Sequence, residues 1–153
     1  MDKIKVVVLG ATGLVGQCFV KLLSNHKWFD LSALTSSPRS TGKRYGEAVN
    51  WCMGSSYPPR DIAEIKLLEA KPEVLKEEGV ELAFSALPSE VAREVEPRFA
   101  KLGIPVMSNA SAFRMGDDVP ILIPEVNYEH MELVKLQMEY RNWASYIVTS
   151  PNC

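Results

Sequence analysis

Histidine and cysteine are scarce in this sequence, with two of the first and three of the second in 153 residues. The cysteines, Cys18, Cys52 and Cys153, are odd in number and show no metal-ligand spacing, so neither a disulfide framework nor a metal site is expected. No apolar run approaches the ~20 residues that a membrane span needs. Excess charge of either sign is also missing. Lys and Arg total 17 against 19 Asp and Glu, a net charge of -2, which excludes a general affinity for nucleic acid or an anionic membrane surface. The N-terminus, Met1-Asp2-Lys3-Ile4, leads straight into a strand-like run, so no signal peptide is read and a cytoplasmic location is expected. What remains is a soluble globular composition, 46% hydrophobic and 24% charged, in a chain long enough for one domain with a sizeable core.

Lys5-Val6-Val7-Val8-Leu9 lacks polar alternation and suits a strand buried on both faces. It runs directly into Gly10-Ala11-Thr12-Gly13-Leu14-Val15-Gly16. Leu14, Val15, Cys18, Phe19, Leu22 and Leu23 then recur at helical spacing, which predicts a helix with one apolar face up to about Asn25. Leu31-Ser32-Ala33-Leu34 reads as the next strand. Strand, glycine turn, helix and strand within ~30 residues is the context that gives a glycine motif meaning. Gly10 permits the tight turn, Gly13 lets the backbone approach a pyrophosphate, and Gly16 lets the helix pack close to the sheet. The helix N-terminus supplies free N–H groups and a potential that favours phosphate.

A second absence refines the ligand. An Asp or Glu commonly follows the second strand to hold a free ribose 2′-hydroxyl. Here the chain reads Thr35-Ser36-Ser37-Pro38-Arg39-Ser40-Thr41-Gly42-Lys43-Arg44, with no acid. Ser37, Arg39 and Ser40 suit a 2′-phosphate, because guanidinium and phosphate form charge-assisted hydrogen bonds. The expected cofactor is therefore NADP rather than NAD.

Residues 45 to 64 read as irregular structure with aromatic anchors, and Cys52 as a buried packing thiol. Ile65-Lys66-Leu67-Leu68 is expected to be a short strand, and Glu73 to Glu78 a helix after Pro72. Glu81 to Ser85 is a further strand. Ser89 is the expected N-cap of a helix carrying Val91, Ala92, Val95 and Phe99. Pro105 to Ser108 is the strand after it. This alternation predicts a doubly wound, mostly parallel α/β sheet of the Rossmann type. Ser85 and Leu87 would then lie at the carboxyl edge, within reach of the cofactor, although for Ser85 a plain turn hydroxyl fits equally well. Asn109, Ser111 and Arg114 follow the next strand on the same edge and suit an oxyanion or phosphate. Ile121-Leu122-Ile123 is another apolar run, and Pro124 to Asn127 turns the chain into a helix bearing Met131, Val134 and Met138. His130 is expected to face solvent, and neither His26 nor His130 is assigned a catalytic role. Ser145 to Thr149 reads as a last strand, which places Ser150-Pro151-Asn152-Cys153 at its carboxyl end, where open α/β sheets hold their active sites.

With the glycine loop, Ser108-Asn109-Ala110-Ser111-Ala112-Phe113-Arg114, Pro124-Glu125-Val126-Asn127 and Ser150-Pro151-Asn152-Cys153 in that order, the whole chain resembles the aspartate-semialdehyde dehydrogenases, most closely their archaeal and fungal branch. The resemblance implies an NADP-binding domain spanning residues 1–153 of a longer enzyme that reduces L-aspartyl-4-phosphate to aspartate 4-semialdehyde and releases phosphate, on the route to lysine, methionine and threonine. It matches Cys153 to the nucleophile that forms a thioester and Asn152 to the asparagine that orients the acyl group. Arg114 matches the arginine that binds the substrate's phosphate. Thr12, Gly13, Leu14 and Val15 match the cofactor's phosphate-binding turn, and Ser37, Arg39 and Ser40 its 2′-phosphate loop. The chemistry agrees, since a thiolate makes an acyl intermediate that a hydride can reduce. A substrate-binding and dimerisation domain is expected after residue 153, carrying the histidine acid/base and the arginine for the substrate carboxylate and making a homodimer or homotetramer. An intact mass near 17.0 kDa for the purified protein would contradict that expectation. Three alternatives stand beside this reading: an acyl-CoA reductase on the same scaffold, such as malonyl-CoA reductase; N-acetyl-glutamyl-phosphate reductase; and a non-catalytic NADP-binding module.

Overall fold

The computed structural model describes residues 2–151, which form two compact units meeting in sequence between Glu81 and Leu82. In the first unit, β1 (Ile4–Leu9) pairs in parallel with β2 (Phe29–Leu34), from Ile4 opposite Phe29 to Val8 opposite Leu34, with a register shift between Val6 and Val7. Val6 to Leu9 are fully buried, as a run without polar alternation requires.

The helix α1 (Leu14–Leu23) forms where its spacing places it, but the buried face differs from the expected apolar one. Gly16, Gln17, Val20 and Leu23 turn inward, while Leu14 and Leu22 are 64% and 71% exposed and Val15 and Cys18 are exposed as well. The cause is Gly16. Its missing side chain lets the helix lie against the backbone of Gly10 and Ala11, and that contact outranks the hydropathy of Leu14 and Leu22.

Residues 45 to 64 contain two short helices, α2 (Tyr45–Ala48) and α3 (Arg60–Ala63). Cys52 is exposed rather than buried, and its amide and thiol both donate to Gln17 Oε1, at 3.0 and 3.3 Å. The strand expected over 65–68 does not form. That run makes only isolated bridges, Thr35 with Leu68 and Arg44 with Lys66. Leu67 is nonetheless fully buried, so the apolar signal came from packing without a ladder. The helix α4 (Pro72–Glu77) forms one residue earlier than the expected Glu73 to Glu78, with the proline itself in its first turn.

The second unit holds β3 (Leu82–Ser85), β4 (Val106–Ser108) and β5 (Ile147–Thr149), parallel and in that spatial order. The register sets Ser85 beside Ser108 and Ser108 beside Thr149, so three hydroxyl residues align across the carboxyl ends of the strands. The helix α5 (Ser89–Lys101) packs on all three strands through Ala92, Glu96, Phe99 and Ala100. Its N-cap is Pro88, not the expected Ser89, whose hydroxyl instead meets Ser111 Oγ at 2.7 Å.

Pro124 to Arg141 forms α6 (Pro124–Asn127), a 3-10 turn (Tyr128–Glu132) and α7 (Leu133–Arg141). The free edge of β5 is closed by side chain and loop. Gln137, fully buried on α7, accepts from the Ile147 amide at 2.7 Å and donates to the Ile147 carbonyl at 3.0 Å. Two residues further on, Thr149 donates to the Pro120 carbonyl and accepts from the Leu122 amide, both at 2.9 Å. Ile121-Leu122-Ile123 therefore lies along β5 as a single bridge rather than a full strand. Among the described residues no helix is long and apolar enough to cross a membrane.

Candidate cofactor and anion site

In the first unit the glycine loop and the loop after β2 are tied together at Thr35. The Gly10 amide donates to Thr35 Oγ1 at 3.2 Å and the Ala11 amide to the Thr35 carbonyl at 2.9 Å. Gly10 has φ of +78°, a conformation that glycine adopts without strain. Tyr45, fully buried, donates its hydroxyl to the Ala11 carbonyl at 3.0 Å. Burial, and then the nearby Cys52, push that phenol above its ordinary range, so it stays a donor at every working pH. The loop is thus held from both sides before any ligand arrives.

The start of α1 is left open. Gly13 is its N-cap, no side chain caps it, and its first turn carries no acidic residue. The first amides of a helix have no partner within the helix. Those of Leu14 and Val15, beside Thr12 and Gly13, therefore suit a pyrophosphate. Ser37, Arg39 and Ser40 sit in a tight turn closed by the Ser40 and Thr41 amides on the Ser37 carbonyl, at 3.0 and 3.2 Å. Ser37 and Arg39 are exposed and Ser40 half-buried, so the 2′-phosphate candidates lie on one small accessible turn that leads out of Thr35.

The second unit gathers Asn109, Ser111, Arg114 and Ser150 at the carboxyl ends of β3, β4 and β5. Arg114 donates Nε to the Ser150 carbonyl at 3.0 Å and Nη2 to the Asn109 carbonyl at 3.3 Å. Ser150 Oγ donates to Asn109 Oδ1 at 2.6 Å, and the Ser150 amide donates to the Ser108 carbonyl at 2.9 Å. Two of the five guanidinium N–H groups are thus used on described backbone carbonyls, which fixes the plane of the fork. Ser111 is exposed and borders the group through Ser89.

Ser85 stands at the strand end as expected, but it is fully buried. Its hydroxyl offers nothing to a ligand, and its carbonyl accepts from the Asn109 amide at 2.9 Å. Leu87 lies half-buried on the loop that enters α5. Asn152 and Cys153 fall outside the described residues. His130 is exposed, with Nδ1 3.0 Å from Asn127 Nδ2. Among the described residues no cluster of His, Cys, Asp or Glu is placed to hold a metal.

Residues 5–134 match the family model described as semialdehyde dehydrogenase, NAD binding domain. The chain belongs to that family. It is 52% identical over 146 residues to the aspartate-semialdehyde dehydrogenase of Archaeoglobus fulgidus, which covers 95% of this chain and 41% of that protein. The malonyl CoA reductase (NADP) of Metallosphaera sedula is 39% identical over 150 residues, covering 98% of this chain and 41% of its own length. Among solved structures, the aspartate semialdehyde dehydrogenase of Candida albicans with NADP superposes with a TM-score of 0.86 at 37% identity, over 97% of this chain and 42% of that one. The fold is accordingly the Rossmann-type α/β arrangement expected from the alternation of strands and helices. The chain spans about two-fifths of the length of these relatives.

Two side chains that shape the site carry no motif: Tyr45, which holds the glycine loop, and Glu96, buried at 0% exposure beneath Ser108. Glu96 accepts from Ser108 Oγ at 2.6 Å. Its only sequence signal is an acid on the inward side of an amphipathic helix, three residues before Phe99.

Proposed function

We propose that this chain is the NADP-binding part of an aspartate-semialdehyde dehydrogenase, which reduces L-aspartyl-4-phosphate to the 4-semialdehyde through a thioester on Cys153. The observation that carries the reading is the Arg114 Nε bond to the Ser150 carbonyl, which joins the anion candidate to the segment leading to the thiol. Thr12, Gly13, Leu14 and Val15 would hold the pyrophosphate at the open start of α1, with Ser37, Arg39 and Ser40 on the 2′-phosphate. When bound, the cofactor supplies the hydride that reduces the thioester to the aldehyde.

The chain's own residues do the rest. The Cys153 thiolate attacks the acyl carbon, the bond from that carbon to the phosphate oxygen breaks, and phosphate leaves with the electron pair. Asn152 orients the acyl oxygen. Arg114 binds the phosphate as it gains charge, with its fork pre-set by the Asn109 and Ser150 carbonyls. Asn109 and Ser111 border that anion. The general acid/base and the arginine for the substrate carboxylate belong to a further substrate-binding and dimerisation domain, in keeping with the share of its relatives that this chain spans. A homodimer or homotetramer in the cytoplasm is the matching assembly.

A coupled assay on the full-length protein separates this reading from acyl-CoA reduction. NADPH oxidation with aspartyl phosphate and none with malonyl-CoA is expected. The reverse preference would assign the scaffold to the acyl-CoA reductases.

A further inference from the structure

Glu96 is a carboxylic acid with no exposed surface, in the middle of a helix that packs on three strands. Burying such a group in its charged form is costly unless it is paired, hydrogen-bonded or keeps its proton. Its one hydrogen bond among the described residues is from Ser108 Oγ, which in turn accepts from the Ala110 amide at 3.1 Å. Among the described residues Glu96 Oε2 and Ser85 Oγ make no hydrogen bond of good geometry, although the Ser85 hydroxyl lies close enough to the carboxyl to favour its charged form. Burial raises the acid's pKa, and the Ser108 and Ser85 hydroxyls pull against that shift. A side chain kept at this cost is holding something else in place.

What it holds follows from the order of the bonds. By accepting the hydrogen bond from the Ser108 hydroxyl, Glu96 fixes the rotor, so that a lone pair of Oγ points at the Ala110 amide. That bond shapes the turn from Ser108 into Asn109, Ala110 and Ser111. The Ser108 carbonyl accepts from the Ser150 amide, the Asn109 side chain accepts from Ser150 Oγ, and the Asn109 and Ser150 carbonyls orient the Arg114 fork. Every link from Glu96 to Arg114 lies within the second unit.

We propose that Glu96 is a positioning residue, which sets the anion-binding geometry of Arg114 through Ser108 and the Asn109–Ser150 bonds. The inference rests on the reading of Arg114 as the phosphate-binding arginine. Glu96 touches neither substrate nor cofactor and acts only through the turn.

The test uses the full-length protein and three variants, Glu96→Leu, Glu96→Gln and Ser108→Ala. Two readouts are taken: amide hydrogen exchange at Ala110 and Ser150, and kinetics in the semialdehyde-oxidising direction with inorganic phosphate as the varied substrate. Loss of one buried hydrogen bond in the chain is expected to raise the phosphate KM about tenfold in Glu96→Leu and in Ser108→Ala, with exchange at both amides faster by a similar factor. The KM values for semialdehyde and NADP should stay within about twofold, because uniform weakening is the mark of a general structural defect rather than of a displaced fork. Glu96→Gln keeps an acceptor for Ser108 and should restore both readouts. Unchanged phosphate KM and exchange in Glu96→Leu and Ser108→Ala would overturn the proposal, as would all three KM values rising together. If Glu96→Leu fails to fold, Ser108→Ala decides. If the parent protein does not oxidise the semialdehyde, the function proposed above fails, and the exchange pattern alone then judges Glu96.

Discussion

A β-carbon built on Gly16 would stand 2.1 Å from the carbonyl oxygen of Gly10, whereas one built on Gly13 would stand 3.7 Å from the same atom. The first distance is impossible without moving backbone, and the second is ordinary contact. Within the fold only Gly16 is therefore required to lack a side chain, and the part proposed for Gly13 is toward the ligand. Gly16→Ala should destabilise the fold by about 3 kcal/mol, since α1 must lift off the glycine loop. Gly13→Ala should change stability by less than about 1 kcal/mol yet weaken NADP binding about tenfold, because the added methyl occupies space a pyrophosphate needs. Thermal melts paired with cofactor titrations check both. A Gly13→Ala protein that binds NADP normally would remove the phosphate role from this turn.

Arg39 is exposed on the turn after β2 and should act on one phosphate only. Arg39→Ala is expected to weaken NADPH binding about tenfold or more while leaving NADH binding near its starting value, the scale of a lost charged hydrogen bond. Fluorescence titration with the two cofactors makes the comparison. Equal losses would mean that Arg39 contributes general charge and no 2′-phosphate contact.

Gln137 completes the edge of β5 by taking both backbone groups of Ile147, and its Nε2 also donates to the Asp118 carbonyl at 2.9 Å. Gln137→Leu leaves those buried groups without partners, for a loss of about 2–4 kcal/mol. Urea unfolding should show a lower midpoint with the slope unchanged. A midpoint equal to that of the parent would show that water replaces the amide.

The raised pKa of Glu96 has a consequence for stability. Burial places its folded-state pKa above the ordinary value of 4.5, so the folded protein holds the proton more tightly than the unfolded chain. Its contribution is fully present below that ordinary value and is lost as pH rises through the folded-state pKa. Glu96→Gln should therefore gain melting temperature relative to the parent at neutral pH, and the gain should shrink below pH 4.5. A difference that is flat with pH would show that Glu96 titrates as an ordinary acid.

The parts of this molecule that were legible in the sequence are those whose reasons are local. Gly10 and Gly16 each answer to a turn or a contact within a few residues, and Val6 to Leu9 show a two-sided burial that needs no partner to be recognised. The inward face of α1 was not legible from hydropathy, because the determining residue, Gly16, acts through what it lacks. The apolar run at 65–68 looked like a strand since burial and pairing leave the same mark on composition, yet only bridges form there. Ser89 resembled an N-cap until Ser111, distant in sequence, claimed its hydroxyl. Glu96 and Gln137 were invisible for the same reason. A polar residue on an inward helix face reads as noise until the strand group that needs it is known.

The central claim is a covalent step at Cys153, and single-turnover mass spectrometry tests it most directly. Full-length protein mixed with aspartyl phosphate in the absence of NADPH should release about one equivalent of phosphate and gain the aspartyl mass on the peptide containing Cys153, with the adduct discharged on adding NADPH. Phosphate release without an adduct, or an adduct that persists in a Cys153→Ser variant, would contradict the account.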